Sequence, residues 1–174
     1  MIDIDKLIND CEKELTSVYK DIDNNLLINS KKVLDAFHLH KVNESHFSTT
    51  TGYGYGDIGR EVTELVFATV LGGEASLVRT QFISGTHALS TCFFSLLRPG
   101  DLLLSITGTP YDTIKKVIGI EENSSSLKAF GIIYDEIDLL DNNFDIDKIT
   151  TYLKNNKVKV IEIQRSKGYS TRKS

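Results

Sequence analysis

The segment SGTHA, residues 84–88, combines residue types that can bind a phosphate group at the start of a helix. A helix N-terminus presents unpaired backbone N–H groups and the positive end of the helix dipole. Gly85 has no side chain, so an anion can approach the backbone closely there. The alternative is that Ser84 or Thr86 only caps the helix, which is the more frequent use of these residues at such a junction. The motif by itself therefore leaves a phosphate site and a plain helix cap both open.

A second segment, TGTPYDT at residues 107–113, also lies where a predicted strand passes into a helix. In open α/β sheets these junctions, at the carboxyl ends of the strands, line the ligand crevice. Tyr111 could therefore stack on an aromatic ligand bound by SGTHA. The alternative places Pro110 at the first helical position, which proline favours, and leaves Tyr111 as half-buried surface.

A third segment, FSTTTGYGYGDIGRE at residues 47–61, alternates glycine with tyrosine and predicts a loop. Tyr53 and Tyr55 bring hydroxyl groups to this loop, and Arg60 brings a guanidinium fork suited to a phosphate or carboxylate. Such a loop could reach into a site that is built elsewhere. The alternative is a surface loop in which Arg60 pairs with Asp57 or Glu61.

The elements that must position these segments follow from the spacing of apolar residues. Residues 4–47 show helical periodicity, and a further helix follows the loop, with Asp57 near its start and Gly72 at its end. Beyond it, strands and helices alternate. We predict strands at 75–80, 102–106, 129–137 and 158–164, and helices within 84–100, from about 111, and at 145–155. This order predicts an α/β fold, with N-terminal helices followed by a mostly parallel sheet that has helices on both faces.

Composition and charge exclude several classes of function. The 174 residues carry a net charge of −4, and their lysines and arginines are scattered, which argues against nucleic acid or an anionic membrane as a partner. No apolar run is long enough to span a bilayer. The two cysteines form neither a disulfide framework nor a zinc motif, and the four histidines are too irregularly spaced for a metal site. We expect a cytoplasmic protein that holds no metal.

Longer motifs resemble one family of enzymes that use pyridoxal 5′-phosphate (PLP). SGTHA and its flanking segments are similar to the Cys/Met-metabolism enzymes of fold type I. Several longer motifs look like the narrower aluminium-resistance or methionine gamma-lyase-like proteins, over residues 28–174. These motifs are TTGYGYGDIGRE, VRTQFISGTHAL, LRPGDLLLSITGTPYDTIKKVIG, SLKAFGI and IQRSKGYSTRKS.

The resemblance implies roles for individual residues. Ser84, Gly85 and Thr86 would hold the cofactor phosphate, and Tyr111 would lie over the pyridine ring. Three more residues would come from the other subunit of a homo-oligomer: Tyr53, Tyr55 and Arg60. The broader family has a Tyr-x-Arg triplet at this contact, whereas here Arg60 lies five residues after Tyr55. Residues 1–50 would form a helical segment, and residues 51–174 an incomplete PLP-binding large domain.

The resemblance also implies that catalytic parts are missing. In such enzymes the lysine that links covalently to PLP, and the acidic partner of the pyridine nitrogen, follow the matched region. We therefore expect a truncated chain related to carbon–sulfur lyases of sulfur amino acids, with no catalytic residue and no covalent PLP, inactive unless a C-terminal polypeptide complements it. The alternatives are a non-catalytic interaction module and a phosphate- or nucleotide-binding α/β module, although GxGxxG and GK[ST] motifs are absent.

Overall fold

The computed structural model describes residues 3–51 and 56–166, and its contacts divide the chain into two compact units, Met1–Thr80 and Gln81–Ser174. Tyr53 and Tyr55 lie outside the described residues. No described helix is both long and apolar enough to cross a bilayer.

The first unit is helical. Helix α1 spans Ile4–Leu39, a short 3-10 helix spans Glu44–Phe47, and helix α2 spans Ile58–Leu71. The predicted N-terminal helical region is thus interrupted after Leu39, where Lys41 adopts a positive φ of 52°. Helix α1 packs on α2, and Ala36 of α1 is buried, but most of the apolar side chains of α1 are exposed.

Both predicted caps of α2 are confirmed. At the start, the Asp57 carboxylate accepts a hydrogen bond from the backbone N–H of Arg60 at 3.1 Å. At the end, Gly72 adopts the left-handed conformation with φ 71°, which glycine adopts without steric cost.

The predicted strand at 75–80 is wrong, because this segment forms no strand and joins no sheet. Its polar groups are instead bound by Glu64 of α2. The Glu64 carboxylate accepts the Val78 backbone N–H at 3.0 Å and pairs with the Arg79 guanidinium, while the Ser76 hydroxyl donates to the Glu64 carbonyl at 2.7 Å. A helix side chain thus supplies partners that a neighbouring strand would have supplied. SGTHA therefore does not follow directly on a strand.

The second unit contains the parallel sheet that the sequence predicts. Its strands are β1 (Leu102–Ser105), β2 (Ile133–Glu136) and β3 (Val158–Glu162), in the order β2-β1-β3. Both neighbours pair with β1 in parallel, with Leu102 opposite Ile133 and Val158. All residues of the central strand β1 are buried. Strand β2 is shorter than predicted because a turn with Gly131 at φ 81° precedes it.

Helices cover both faces of the sheet, as predicted. Helices α3 (Gly85–Leu96) and α4 (Asp112–Ile118) pack on one face around Leu103, and α5 (Ile146–Asn155) packs on the other face around Leu104. A bulge in β3 shifts the register between Leu102 and Leu103 of β1. As a result Val158 packs with the α5 face and Val160 with the α3–α4 face, although they are two residues apart.

Candidate functional site at the carboxyl ends of the strands

The start of α3 has the geometry that an anion site requires. Ser84 is extended, and its hydroxyl accepts the His87 backbone N–H at 3.1 Å, so it caps the helix. The N–H groups of Gly85 and Thr86 belong to the first turn, where helix geometry offers no acceptor within the helix. A Cβ atom added to Gly85 would meet nothing within 4 Å. Helix capping is therefore present, and it leaves the space beside Gly85 open to a ligand.

The β1–α4 loop, residues 106–111, is fixed from several sides. Gly108 has a φ of 76°, its N–H donates to the Ile137 carbonyl at 2.9 Å, and its carbonyl accepts the Ser105 hydroxyl at 2.7 Å. Pro110 is buried, whereas Tyr111 is 37% exposed at the N-cap position of α4. The loop thus buries its proline and presents the following tyrosine at the surface.

One hydrogen bond joins the two helix starts. The hydroxyls of Thr86, in the first turn of α3, and Thr113, in the first turn of α4, lie 2.7 Å apart. Because a pair of hydroxyls uses one proton for such a bond, the other proton stays available to a ligand. The structure therefore places the start of α3, which carries SGTHA, beside the start of α4, which follows Tyr111. Thr113 itself was not among the predicted site residues.

Sequence reasoning also missed a residue that follows β3. The side-chain oxygen of Gln164 accepts the Tyr111 backbone N–H at 2.8 Å, and the Gln164 backbone N–H donates to the Thr107 hydroxyl at 3.0 Å. The signal available in the sequence was its position: Gln164 comes just after a predicted strand, at the edge where ligand crevices form. An amide in such a place can bridge two neighbouring loops.

Two carboxyl groups flank the end of β1 on the α3–α4 face. In the sheet register, Glu136 of β2 lies opposite Ser105 of β1 on one side, and Glu162 of β3 lies opposite Ser105 on the other side. The Glu136 carboxylate accepts the Tyr134 hydroxyl at 2.6 Å and the Thr109 hydroxyl at 2.8 Å. Burial, and then the hydrogen bond to Glu136, raise the pKa of Tyr134. This tyrosine therefore stays protonated as a hydrogen-bond donor.

Glu162 is the less well satisfied of the two carboxyl groups. Its Oε2 atom is buried and has no hydrogen-bond partner among the described residues. Burial raises the pKa of Glu162, and the nearby Ser105 hydroxyl opposes that shift. Desolvation of the charged form is thus the dominant effect at this position.

Glu162 is expected to make the folded state less stable as the pH rises. Its folded-state pKa lies above the unfolded value near 4.5, so the folded chain binds more protons between the two values, and stability falls as pH rises through that interval. We expect Glu162→Gln to reduce this fall, measured as the free energy of urea unfolding from acidic to neutral pH. Glu121→Gln, which removes a carboxylate from an exposed position, is the control. An unchanged slope in Glu162→Gln, or the same change in both variants, would contradict the assignment.

The remaining predicted site residues belong to the first unit. The Arg60 guanidinium forms an ion pair with Asp57. Its Nε donates to Asp57 Oδ2 at 3.0 Å, and one of its terminal nitrogens donates to the same oxygen at 2.6 Å. These hydrogen bonds lower the pKa of the Asp57 carboxyl. The ion pair expected as the alternative is therefore present, while a role of Arg60 toward a ligand stays a prediction. Tyr53 and Tyr55 lie outside the described residues.

Comparison with known proteins gives a consistent result over the whole chain. The model of the methionine gamma-lyase family matches residues 4–174. The chain is 48% identical over 172 residues to the uncharacterized protein YnbB of Bacillus subtilis (strain 168), an alignment that covers 97% of this chain and 41% of YnbB.

Two crystal structures have the same fold. A candidate cystathionine beta-lyase involved in aluminum resistance, from Listeria innocua, matches with a TM-score of 0.91 and 45% identity, covering 100% of this chain and 43% of that protein. A carbon-sulfur lyase involved in aluminum resistance, from Clostridium novyi NT, matches with a TM-score of 0.88 and 43% identity. This match covers 92% of this chain and 40% of that protein. The chain thus spans about two fifths of the length of these relatives. With the motifs, the parallel sheet and these matches in agreement, the chain belongs to the methionine gamma-lyase family.

Proposed function

We propose that these 174 residues form the N-terminal, cofactor-phosphate-binding part of a PLP-dependent carbon–sulfur lyase that acts on sulfur amino acids. The observation that carries the proposal is the Thr86–Thr113 hydrogen bond, which holds the open start of α3 beside the start of α4, where Tyr111 is exposed. The relatives named as cystathionine beta-lyase and carbon-sulfur lyase support the reaction class. The absence of clustered cysteines favours the cytoplasm.

The residues at the start of α3 fit a phosphate group. The N–H groups of Gly85 and Thr86 would donate to its oxygens, and the helix dipole would favour its negative charge. The Ser84 hydroxyl accepts from His87 and keeps its own proton, so it can donate as well. The Cβ position of Gly85 is open, with no atom within 4 Å of it, which favours close approach of a phosphate to this backbone.

Tyr111 would lie against the pyridine ring of the same molecule. Aromatic rings stack favourably when they are offset, and the 37% exposure of Tyr111 leaves part of its side chain available. When bound, PLP supplies an electron sink for cleavage of bonds at the amino-acid substrate. Tyr111 would orient the ring for that chemistry and exclude water from one of its faces.

A second subunit would complete the phosphate site with Tyr53, Tyr55 and Arg60. Arg60 can serve there only by sharing its guanidinium between Asp57 and the phosphate, since both Nε and a terminal nitrogen now donate to Asp57. The guanidinium has five N–H donors, so such sharing is chemically possible. In relatives the covalently linked lysine lies beyond the matched region, and we infer that it must come from outside these 174 residues.

Binding of pyridoxine 5′-phosphate tests the phosphate site, because this analogue carries the phosphate and ring but no aldehyde that could react with surface lysines. We expect the chain to bind it, and Gly85→Val to weaken binding by about 10-fold to 100-fold, because the added side chain would keep the phosphate away from the backbone N–H and so cost about one charge-assisted hydrogen bond. Thr86→Ala should weaken binding less, because it leaves the approach to the backbone N–H groups open. Isothermal titration calorimetry would measure the affinities.

Two controls make this test specific. Pyridoxine without phosphate should bind weakly to the original chain and to Gly85→Val alike, and circular dichroism should show that both are folded. Equal affinity of the original chain and Gly85→Val for pyridoxine 5′-phosphate would refute the phosphate site. Tighter binding of ATP than of pyridoxine 5′-phosphate would favour a nucleotide-binding module. With PLP and borohydride, mass spectrometry should find no adduct confined to one lysine.

A further inference from the structure

Tyr111 begins α4, where its backbone carbonyl accepts the N–H groups of Ile114 and Lys115. It is the N-cap residue, yet its side chain makes no capping hydrogen bond to the helix. The residue before it, Pro110, has no N–H group and is buried. The Tyr111 backbone N–H is therefore a donor that can fix the end of the loop, next to the tyrosine side chain.

Gln164 supplies the acceptor for that donor from a different part of the chain. Its side-chain oxygen lies 2.8 Å from the Tyr111 nitrogen, 53 residues away in sequence. Its backbone N–H also donates to the Thr107 hydroxyl at 3.0 Å. The end of β3 thus contacts the β1–α4 loop at two points, one on each side of Pro110.

The carboxamide of Gln164 is itself oriented. Its side-chain nitrogen donates to the Ser166 carbonyl at 2.8 Å, which turns the oxygen toward Tyr111. A residue with only an acceptor or only a donor could not make both contacts at once, because the amide group needs its oxygen for one and its nitrogen for the other. This explains why an amide, and not a hydroxyl or an aliphatic side chain, suits the position.

We infer that Gln164 is a positioning residue: through the Tyr111 backbone N–H it sets the direction in which the Tyr111 ring faces the ring of the bound cofactor. The inference rests on the proposed function, since it assumes that pyridoxine 5′-phosphate or PLP binds at the start of α3. The inference gives a role to Gln164, which follows β3. Gln164 would act on the cofactor ring only indirectly, by positioning Tyr111.

Hydrogen exchange tests the contact itself in the unliganded chain. In Gln164→Met, which has a similar length but no strong acceptor, we expect the Tyr111 amide to exchange about tenfold faster, as for loss of one hydrogen bond. Gln164→Glu keeps an acceptor oxygen but loses the donor to the Ser166 carbonyl, so it should retain part of the protection. Thr107→Val removes the other contact while the Gln164 side chain stays, so it should have a smaller effect on the Tyr111 amide. Equal exchange in Gln164→Met and the original chain would overturn the inference.

Fluorine NMR tests the consequence for the ring. With 3-fluorotyrosine in place of the 7 tyrosines, and the Tyr111 signal identified by its absence in Tyr111→Phe, saturating pyridoxine 5′-phosphate should shift that signal through the ring current of the stacked pyridine. We expect Gln164→Met to lose most of this shift at saturation, and Gln164→Glu, which keeps an acceptor but no donor, to keep more of it than Gln164→Met does. A structural defect alone would lower affinity without changing the shift of the saturated complex.

The outcomes separate this inference from the proposed function. If pyridoxine 5′-phosphate binds and shifts Tyr111 equally in Gln164→Met and the original chain, the positioning role is overturned and the proposed function stands. If it neither binds to nor shifts the original chain, both are overturned, whatever the exchange of the Tyr111 amide shows about the hydrogen bond.

Discussion

Leu103→Ala is expected to lower the free energy of unfolding of the sheet unit by about 2–5 kcal/mol, the range for removing a fully buried leucine side chain. Leu103 has no exposed surface and lies in the core cluster that joins the central strand to α3 and α4. The lost methine and methyl groups would leave a cavity beneath α3 and α4, the two helices whose first turns carry the candidate site. Urea unfolding followed by circular dichroism would measure the change.

Leu104→Ala is the matched control, because Leu104 is equally buried but belongs to the cluster under α5 on the opposite face. Both variants should be destabilised by similar amounts. Only Leu103→Ala should also speed the amide exchange of α3 and α4 and weaken binding of pyridoxine 5′-phosphate. If Leu104→Ala weakened binding as much as Leu103→Ala, general destabilisation would be responsible rather than the support of the site from one face.

Gly119→Ala is the second substitution with a large expected effect, about 2–4 kcal/mol of lost stability. Gly119 ends α4 with a φ of 91°, where any other residue is strained by about 1–2 kcal/mol. An added Cβ would also lie 2.3 Å from the Ser126 hydroxyl oxygen and 2.8 Å from its Cβ. Ser126 cannot move away easily, because it is buried and the next two residues are hydrogen-bonded to Val117 and Ile118.

Gly100→Ala separates strain from steric overlap. Gly100 has nearly the same φ, 90°, but a Cβ there would meet nothing within 4 Å. Gly100→Ala should therefore lower the free energy of unfolding only by the cost of backbone strain, about 1–2 kcal/mol. The difference between the two variants in urea unfolding measures the overlap with Ser126. Equal losses would show that the segment at Ser126 yields to the added methyl group.

Much of the second unit could be predicted from local sequence. The apolar run at 102–106 and the run at 158–164 became neighbouring parallel strands, because short apolar runs separated by helices can bury both faces only in such a sheet. The caps at Asp57 and Gly72 were also predictable, since each depends on one residue's own chemistry. Resemblance of the longer motifs predicted the family, which the comparisons confirm.

The segment 75–80 shows where local pattern fails. Its composition suits a strand, but a strand exists only when a partner lies beside it, and here the Glu64 side chain binds the available groups instead. Likewise the bulge in β3 cannot be read from alternating residues, because it reflects the fit of β3 to β1. The domain boundary expected at residue 50 stays a prediction, while the contacts divide the chain after Thr80.

The sequence by itself determined the residue types of the candidate site, since a glycine between two hydroxyl residues and a tyrosine after a proline are properties of the chain. Only the tertiary structure decided which residues meet. The pairing of Thr86 with Thr113 and of Tyr111 with Gln164 joins positions 27 and 53 residues apart. Contacts over such separations depend on how strands and helices pack, and a parallel sheet brings the ends of all its strands to one edge.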